Sequence, residues 1–352
     1  MAKPIAVDLF SGAGGLSLGL KDAGFDVVAG VELDPQASAT FALNNPSAKA
    51  ICEDIQKVSP WQLKKDLGRR VSLLAACPPC QGFTSLTSKF KRDDPRNDLP
   101  RDVLKFARAL KPKAIMFENV PRFLTSANGK RRFDVVVKEL ESLDYKVTWS
   151  ILQAADFGTA QMRRRLIIFA ADREIEPPAP THFSRPAEGQ AAWNTLADRI
   201  QGLEATREFV PGSMSGIRSL KEWHVTRRLS QLNRQRLALA KPGGARWDIP
   251  DAYRPPCHVG SNSGFRNVYG RMAWDVPSPT ITGGCTSPSK GRFGHPDEVR
   301  TISVREAGLL QDFPDDYLID ADGRLDRACE MIGNAFPAKL ASAAARQFAH
   351  LV

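Results

Sequence analysis

Cys77-Pro78-Pro79-Cys80 sets two thiols three positions apart around a rigid Pro-Pro turn. The apolar, β-rich run Val71–Ala76 comes directly before it. The turn therefore leaves a strand at its carboxyl end, where ligands bind in open α/β sheets. A thiol there is a soft nucleophile once nearby positive charge or a helix N-terminus lowers its pKa. Taken alone, a cysteine at a strand end is more often a small apolar residue. C-x-x-C also matches half of a zinc site, but no further Cys or His pair stands at metal-ligand spacing. Two more strand ends shift the balance. Glu118-Asn119-Val120 caps the run Ala114–Phe117, and Gln161-Met162-Arg163-Arg164-Arg165 leads into Leu166–Ala170. Alternation puts Arg163 and Arg165 on one face and Arg164 on the other. Thiol, carboxylate and two guanidiniums thus converge on one sheet edge, which is more than a satisfied core needs.

A second group could hold a ligand. Asp8–Gly15 (DLFSGAGG) sets a Gly-rich turn between a strand and a helix. Gly12 and Gly14 permit positive φ and let backbone N–H groups approach a ligand at the helix N-terminus. The run lacks the third glycine of a dinucleotide fingerprint. Glu32 ends the next strand, where an acid can hydrogen-bond both hydroxyls of a ribose. Asp54 follows a weaker third strand and suits an adenine amino group. An adenosine-containing cofactor fits, and at this point NAD and S-adenosylmethionine are not separated.

The elements that must position these residues alternate. Ile5–Phe10, Asp26–Val31, Val71–Ala76, Ala114–Phe117, Lys146–Ile151 and Leu166–Ala170 read as strands. Gly15–Ala23, Pro35–Leu43, Val103–Leu110 and Phe133–Leu143 read as helices between them. Such alternation implies an α/β fold with a mostly parallel sheet. Glu174–Thr181 is Pro-rich and reads as a linker. Beyond it, to about Met272, the chain is irregular, as expected of a smaller second domain. Helical character returns at Val304 and in Pro337–Phe348.

The chain has 352 residues, 42% hydrophobic and 25% charged, enough for a large domain plus a smaller one. Its formal net charge of +10 points to a polyanionic partner. Between His182 and Met272 stand 14 Lys+Arg against 7 Asp+Glu, so that quarter carries +7 of the +10. No apolar run approaches the roughly 20 residues a membrane helix needs. The N-terminus lacks signal-peptide architecture, so a cytoplasmic protein is expected. Its six cysteines are scattered and read as reduced thiols.

The blocks DLFSGAGG, PPCQGF, ENV, QMRRR, Arg300–Tyr317 (RTISVREAGLLQDFPDDY) and Ile332–Pro337 (IGNAFP) stand in that order. Together they resemble the motif set of cytosine-5 DNA methyltransferases of bacterial type. The likeness covers nearly the whole chain except about 180–265, where that family keeps its variable target-recognition domain. The resemblance implies a Rossmann-like methyltransferase fold. It places a catalytic domain in 1–178 and 273–352, with the C-terminal helix folded back, and a target-recognition domain in 179–272. It also implies S-adenosylmethionine as cofactor, released as S-adenosylhomocysteine, with no metal.

By the same resemblance Cys80 is the nucleophile that adds to carbon 6 of a flipped-out cytosine. Glu118 holds the ring nitrogen and exocyclic amine, and Arg163 and Arg165 orient the base and the carboxylate. Phe10, Gly12, Gly14, Glu32, Asp54, Ile55, Pro78, Leu99 and Asn334 are the cofactor-site candidates. The polar stretch Gln81–Leu99 suits a loop closing over DNA, with Gln81, Ser85, Lys89 and Arg96 as contacts. Arg227, Arg228, Arg234, Arg236 and Arg246 are the candidates in the recognition region, as base readers or phosphate contacts. Cys77 departs from the family, which commonly has Gly there. The expected partner is double-stranded DNA, bound by a monomer, with a cognate restriction endonuclease possible. Competing readings are a transfer-RNA methyltransferase of the same superfamily, a non-catalytic DNA-binding regulator, and an NAD oxidoreductase. The first is disfavoured because the recognition region lacks a Cys-Phe-Thr segment, the second because Cys80, Glu118, Arg163 and Arg165 are intact. The third is disfavoured by the missing glycine.

Overall fold

The computed structural model describes residues 3–79, 98–259 and 267–351. By packing, the chain forms two compact units. One comprises residues 1–157, 164–181 and 336–352, the other residues 158–163 and 182–335.

The first unit is built on strands β1 (Ile5–Leu9), β2 (Asp26–Glu32), β3 (Lys49–Cys52), β4 (Leu73–Ala76), β5 (Ala114–Asn119), β6 (Lys146–Gln153) and β7 (Arg164–Ala171). Among the described residues they form one seven-stranded sheet in the order β3-β2-β1-β4-β5-β7-β6. Pairings from β3 through β5 are parallel, and β7 runs antiparallel to both β5 and β6. The expected α/β architecture with a mostly parallel sheet is what forms. Its inner strands are apolar on both faces because both faces are covered.

The helices α1 (Gly15–Asp22), α2 (Pro35–Asn44), α3 (Pro60–Leu67), α4 (Pro100–Leu110) and α5 (Ala127–Glu141) supply that cover. On one face Val7, Leu9, Leu74, Ala76, Phe117 and Leu166 pack with Leu63 of α3, Phe106 of α4 and Phe133 of α5. On the other, Ala6, Ala75, Met116 and Ile167 pack with Leu16 and Leu20 of α1 and Phe41 of α2. Leu340 and Ala341, from a C-terminal helix spanning Ala338–Arg346, complete that second layer.

Two helices begin earlier than their apolar periodicity suggests. α4 starts at Pro100, whose missing N–H costs nothing in a first turn. α5 starts at Ala127 because the Ser126 hydroxyl accepts from the Gly129 N–H at 3.1 Å. The Pro-rich segment is not a free linker. Ile175 is buried in the second layer, and its carbonyl accepts from the Thr148 hydroxyl at 2.5 Å.

The second unit has little regular structure. Its longer helices are α6 (Gln231–Leu239), α7 (Val304–Leu309) and α8 (Leu325–Asn334). Its strands are two-residue pairs, such as Arg218–Ser219 with Leu318–Ile319. α7 is held by a capping box, the Glu306 N–H donating to Ser303 Oγ at 3.0 Å and the Ser303 N–H to Glu306 Oε2 at 2.6 Å. The helix stops early because Asp312 takes a φ of +67°. Residues 273–335 group by packing with 182–272, whereas the family resemblance assigns them by role to the catalytic domain.

The C-terminal helix closes tightly on α1. A Cβ at Gly19 would stand 2.4 Å from Ala341 Cβ and 2.5 Å from the Ala338 carbonyl oxygen. Gly19→Val is therefore expected to cost about 1–3 kcal/mol through overpacking. Urea denaturation checks this, and an unchanged midpoint would mean that the two helices do not meet there.

Candidate active site

Strand register decides what meets at the sheet's carboxyl edge. Asp8 pairs with Ala75, Ala76 with Phe117, and Glu118 with Ile167. Paired residues share a face and successive residues alternate. Asp8, Cys77, Glu118 and Arg165 therefore belong to one face, the one covered by α1. Because β7 is antiparallel, its beginning lies at this edge, and Arg165 Nε stands 2.7 Å from Glu118 Oε1. Glu118 is buried and Cys77 half-buried. The Cys77 thiol stands beside the Glu118 carboxyl on this face. Burial first, then the Glu118 and Asp8 carboxyls, push that thiol well above the usual range, with Arg165 opposing them. Cys77 is thus kept protonated. Cys80, with Gln81, Ser85, Lys89 and Arg96, lies outside the described residues.

The pairing expected of Arg163 needs correction. β7 begins at Arg164, and the residues before it form turns, Arg163 N–H donating to the Gln161 carbonyl at 3.1 Å. Alternation therefore does not extend to Arg163. Its guanidinium is buried in the second unit and donates to the carbonyls of Ile281 at 2.7 Å and Gly333 at 3.2 Å. Gln161 joins the same network. Its side-chain oxygen accepts from the Ile281 N–H at 3.0 Å, and its amide donates to Gln311 Oε1 at 2.9 Å. Gln311 in turn donates to the Ile332 carbonyl at 2.8 Å. Three of the sequence blocks are thus joined by buried side-chain amides and one guanidinium. Gln311 was not foreseen, and its only signal is a polar residue inside an apolar run.

The Gly-rich turn has the geometry of a ligand cradle. Phe10, Gly12 and Gly14 all take positive φ, at 60°, 52° and 93°. A Cβ on Gly12 would meet nothing within 4 Å, so open space lies where a ligand would approach. The Gly12 N–H donates to Glu32 Oε2 at 2.9 Å, and the Asp34 N–H to Glu32 Oε1 at 2.8 Å. Two backbone donors thus fix the carboxylate of Glu32, while burial raises its pKa against them. Phe10 packs half-buried against the first core layer. Asp54 Oδ1 accepts from the Gln56 N–H at 3.0 Å, and Ile55 is buried below it. Pro78 is buried, and Leu99 lies half-buried at the start of α4. This donor set, an aromatic edge and an anchored carboxylate beside an open glycine turn, fits a nucleoside. Asn334 ends α8 in the second unit.

Asp8 was also not foreseen, although a lone acid inside the strand IAVDL is a signal in itself. It is fully buried. Oδ2 accepts from the Ser17 hydroxyl at 2.6 Å, and Oδ1 has no hydrogen bond among the described residues. Burial raises its pKa to about 7, with the Ser17 bond opposing and Glu32 adding to the shift.

The recognition-region arginines divide by burial. Arg228 and Arg234 are exposed and share Glu208 as counter-ion. Arg227 pairs with Asp326. Arg236 donates to the Tyr253 carbonyl at 2.7 Å and lies over the Tyr269 ring. Arg246 is corrected as a DNA contact. It is fully buried, with its guanidinium 4.3 Å from the Trp247 ring centroid. Among the described residues no group of three or more His, Cys, Asp or Glu could hold a metal ion. No described helix is long and apolar enough to cross a membrane.

Comparison with known proteins agrees with this geometry. The family model for the C-5 cytosine-specific DNA methylase matches residues 5–350. The type II methylase M.HgiDII of Herpetosiphon aurantiacus is 34% identical over 338 residues, covering 95% of this chain and 92% of that protein. The type II methyltransferase M1.HphI of Haemophilus parahaemolyticus is 34% identical over 345 residues, covering 96% of this chain and 85% of the other. Among solved structures, a prophage-encoded chain from E. coli described as a DNA modification methyltransferase superposes with a TM-score of 0.77. It shares 22% identity and 99% coverage of both chains, which is a likeness of fold.

The Asp8 carboxyl makes stability depend on pH. Its pKa is about 7 folded against 3.8 when unperturbed, so the folded state binds the extra proton between those values. The associated stability is full below about pH 4 and is lost as pH rises to about 7. Relative to Asp8→Asn, the wild type is expected to lose on the order of 4 kcal/mol over that window and nothing further above it. Urea titrations of both proteins from pH 4 to 8 check this; parallel curves would refute it.

Proposed function

This chain belongs to the C-5 cytosine-specific DNA methylase family, and from that premise we propose that it methylates a cytosine within a specific double-stranded sequence by covalent addition of Cys80. The observation that carries the proposal is the Glu118 carboxylate held by Arg165 at the sheet edge, one strand from where Cys77-Pro78-Pro79-Cys80 leaves β4. Carbon 5 of cytosine is a poor nucleophile. The target base is extruded from the stack to reach the chain's reactive groups. Cys80 thiolate adds to carbon 6, and the electron pair of the 5,6 double bond moves onto carbon 5. Glu118 holds the ring nitrogen and exocyclic amine, favouring a proton on that nitrogen as charge develops. Arg165 fixes the carboxylate of Glu118. Once carbon 5 carries the methyl group, loss of its proton restores the double bond and expels the Cys80 thiolate.

S-adenosylmethionine, when bound, supplies the electrophilic methyl group for carbon 5. Glu32 is proposed to hold its ribose, Phe10 and Ile55 to pack against the adenine, and Asp54 to accept from the adenine amine. The turn at Gly12 and Gly14 is proposed to leave room for the amino-acid moiety, with Pro78 and Leu99 flanking the cofactor, and Asn334 is proposed by resemblance as a further ligand of that moiety. Arg163 acts as a positioning residue on the segment that carries Asn334. Gln81, Ser85, Lys89 and Arg96, in the polar stretch Gln81–Leu99, are proposed to contact DNA.

By role, residues 1–178 and 273–352 are proposed to be catalytic and 179–272 to recognise the target. Type II naming of the relatives supports a cognate restriction endonuclease as the functional partner. The enzyme is read as a cytoplasmic monomer.

Cys80→Ala is expected to lose methyl transfer from labelled cofactor while retaining DNA binding; unchanged turnover would refute the nucleophile. Bisulfite sequencing of DNA from cells expressing the wild type should show one modified sequence, whereas transfer to RNA alone would overturn the DNA reading. DNA affinity should fall steeply with salt, and Arg228→Ala and Arg234→Ala should each reduce the slope of log K against log salt by about one if they meet phosphates. Slopes equal to the wild type would exclude both as phosphate contacts.

A further inference from the structure

The face that carries the Glu118–Arg165 pair and Asp8 also holds the thiol of Cys77. Its position is set by backbone. The Cys77 N–H donates to the Leu9 carbonyl at 3.2 Å, continuing the β1–β4 ladder by one residue. The β4–β5 register, Ala76 opposite Phe117, then sets Cys77 opposite Glu118 on the same face. The carboxylate accordingly has two neighbours from different strands, the Arg165 guanidinium from β7 at 2.7 Å and the Cys77 thiol from the end of β4.

We propose that Cys77 is a positioning residue for methyl transfer, its S–H donating to Glu118 and fixing, together with Arg165, the orientation in which that carboxylate meets the base. The inference rests on the reading of Glu118 as the group that holds the cytosine ring.

Three features support a donor role over simple space filling. Carboxyls from two neighbouring strands, Asp8 and Glu118, lie on the same face as the sulfur, so ionisation there would set a further negative charge against them. Burial acts in the same direction, and the proton stays on sulfur across the neutral range. A carboxylate held by one side chain can still turn about its last bond, and a donor from another strand would remove that freedom. A glycine at this position would leave only Arg165. The thiol therefore supplies here what a smaller residue would leave to water.

Two measurements test this. In steady-state assays with a cognate duplex, Cys77→Ala is expected to lower kcat by about tenfold, with KM for DNA and cofactor within about twofold. Cys77→Ser, which keeps a donor of similar size, should recover most of that loss. Equal losses in the Ala and Ser variants would reduce the thiol to packing and overturn the proposal, as would an Ala variant with wild-type kcat. If Cys77→Ala fails to fold, Cys77→Gly and Cys77→Ser carry the same comparison. The second measurement is independent of turnover. Raman difference spectra of wild type minus Cys77→Ser isolate one S–H stretching band, expected below that of a free thiol and moving upward in a Glu118→Ala background. A band that ignores Glu118→Ala overturns the contact. If instead that band moves but Glu118→Ala retains full turnover, the catalytic reading of Glu118 has failed and the positioning role falls with it.

Discussion

A carboxylate buried at the rim of an apolar sheet needs a fixed counter-charge, and for Glu118 that counter-charge is the guanidinium of Arg165, 2.7 Å away. The rest of the catalytic unit can be understood from that requirement. Glu118 stands near the end of β5, so its partner must come from a neighbouring strand at the same edge. A parallel neighbour would offer only its last residues, after an apolar run. An antiparallel one offers its first, where a charged residue can be followed by apolar ones. β7 is that strand, running Arg164–Ala171 with only its first two positions charged. The single direction reversal in an otherwise parallel half-sheet thus goes with a chemistry that needs an acid and a base from adjacent strands.

The cofactor side follows a different logic. There the protein's own carboxylate is held by main-chain donors, from Gly12 and Asp34. Backbone donors are rigid and carry no full charge, so Glu32 keeps acceptor capacity toward a ligand's hydroxyls. Asp8, one turn deeper, has no such pair of donors, and burial drives it toward its neutral form. Three carboxyls within one sheet edge therefore live in three environments. One has a guanidinium, one has two amides, and one has a single hydroxyl.

Much of this was legible before any coordinates. Short apolar runs ending in Cys, Glu or a glycine turn mark strand ends directly, because buried parallel strands tolerate few polar residues. Order in the sheet is harder to read. Which strand reverses depends on tertiary pairing, and so the partner of Glu118 had to be inferred from resemblance. Period-two reasoning placed Arg163 with Arg165, and it failed because the strand begins one residue later than that alternation assumes. Arg246 failed for another reason. Charge counts locate basic segments but do not reveal a guanidinium folded inward over Trp247. Gln311 and Cys77 act through contacts with residues distant in sequence, and nothing local to either announces its partner.

The packing of the C-terminal helix on α1 carries a consequence for biosynthesis. Leu16 and Leu20 leave the ribosome early, while Leu340 and Ala341, which cover the same layer, emerge some three hundred residues later. At ordinary elongation rates that delay is on the order of tens of seconds. Throughout it the nascent chain carries an uncovered apolar stripe beside its glycine turn, a surface that chaperones recognise and that favours aggregation when synthesis outpaces them. Completion of the layer beside the glycine turn is in this way tied to a segment made some three hundred residues later, so a chain interrupted before it would be a solubility problem for the cell.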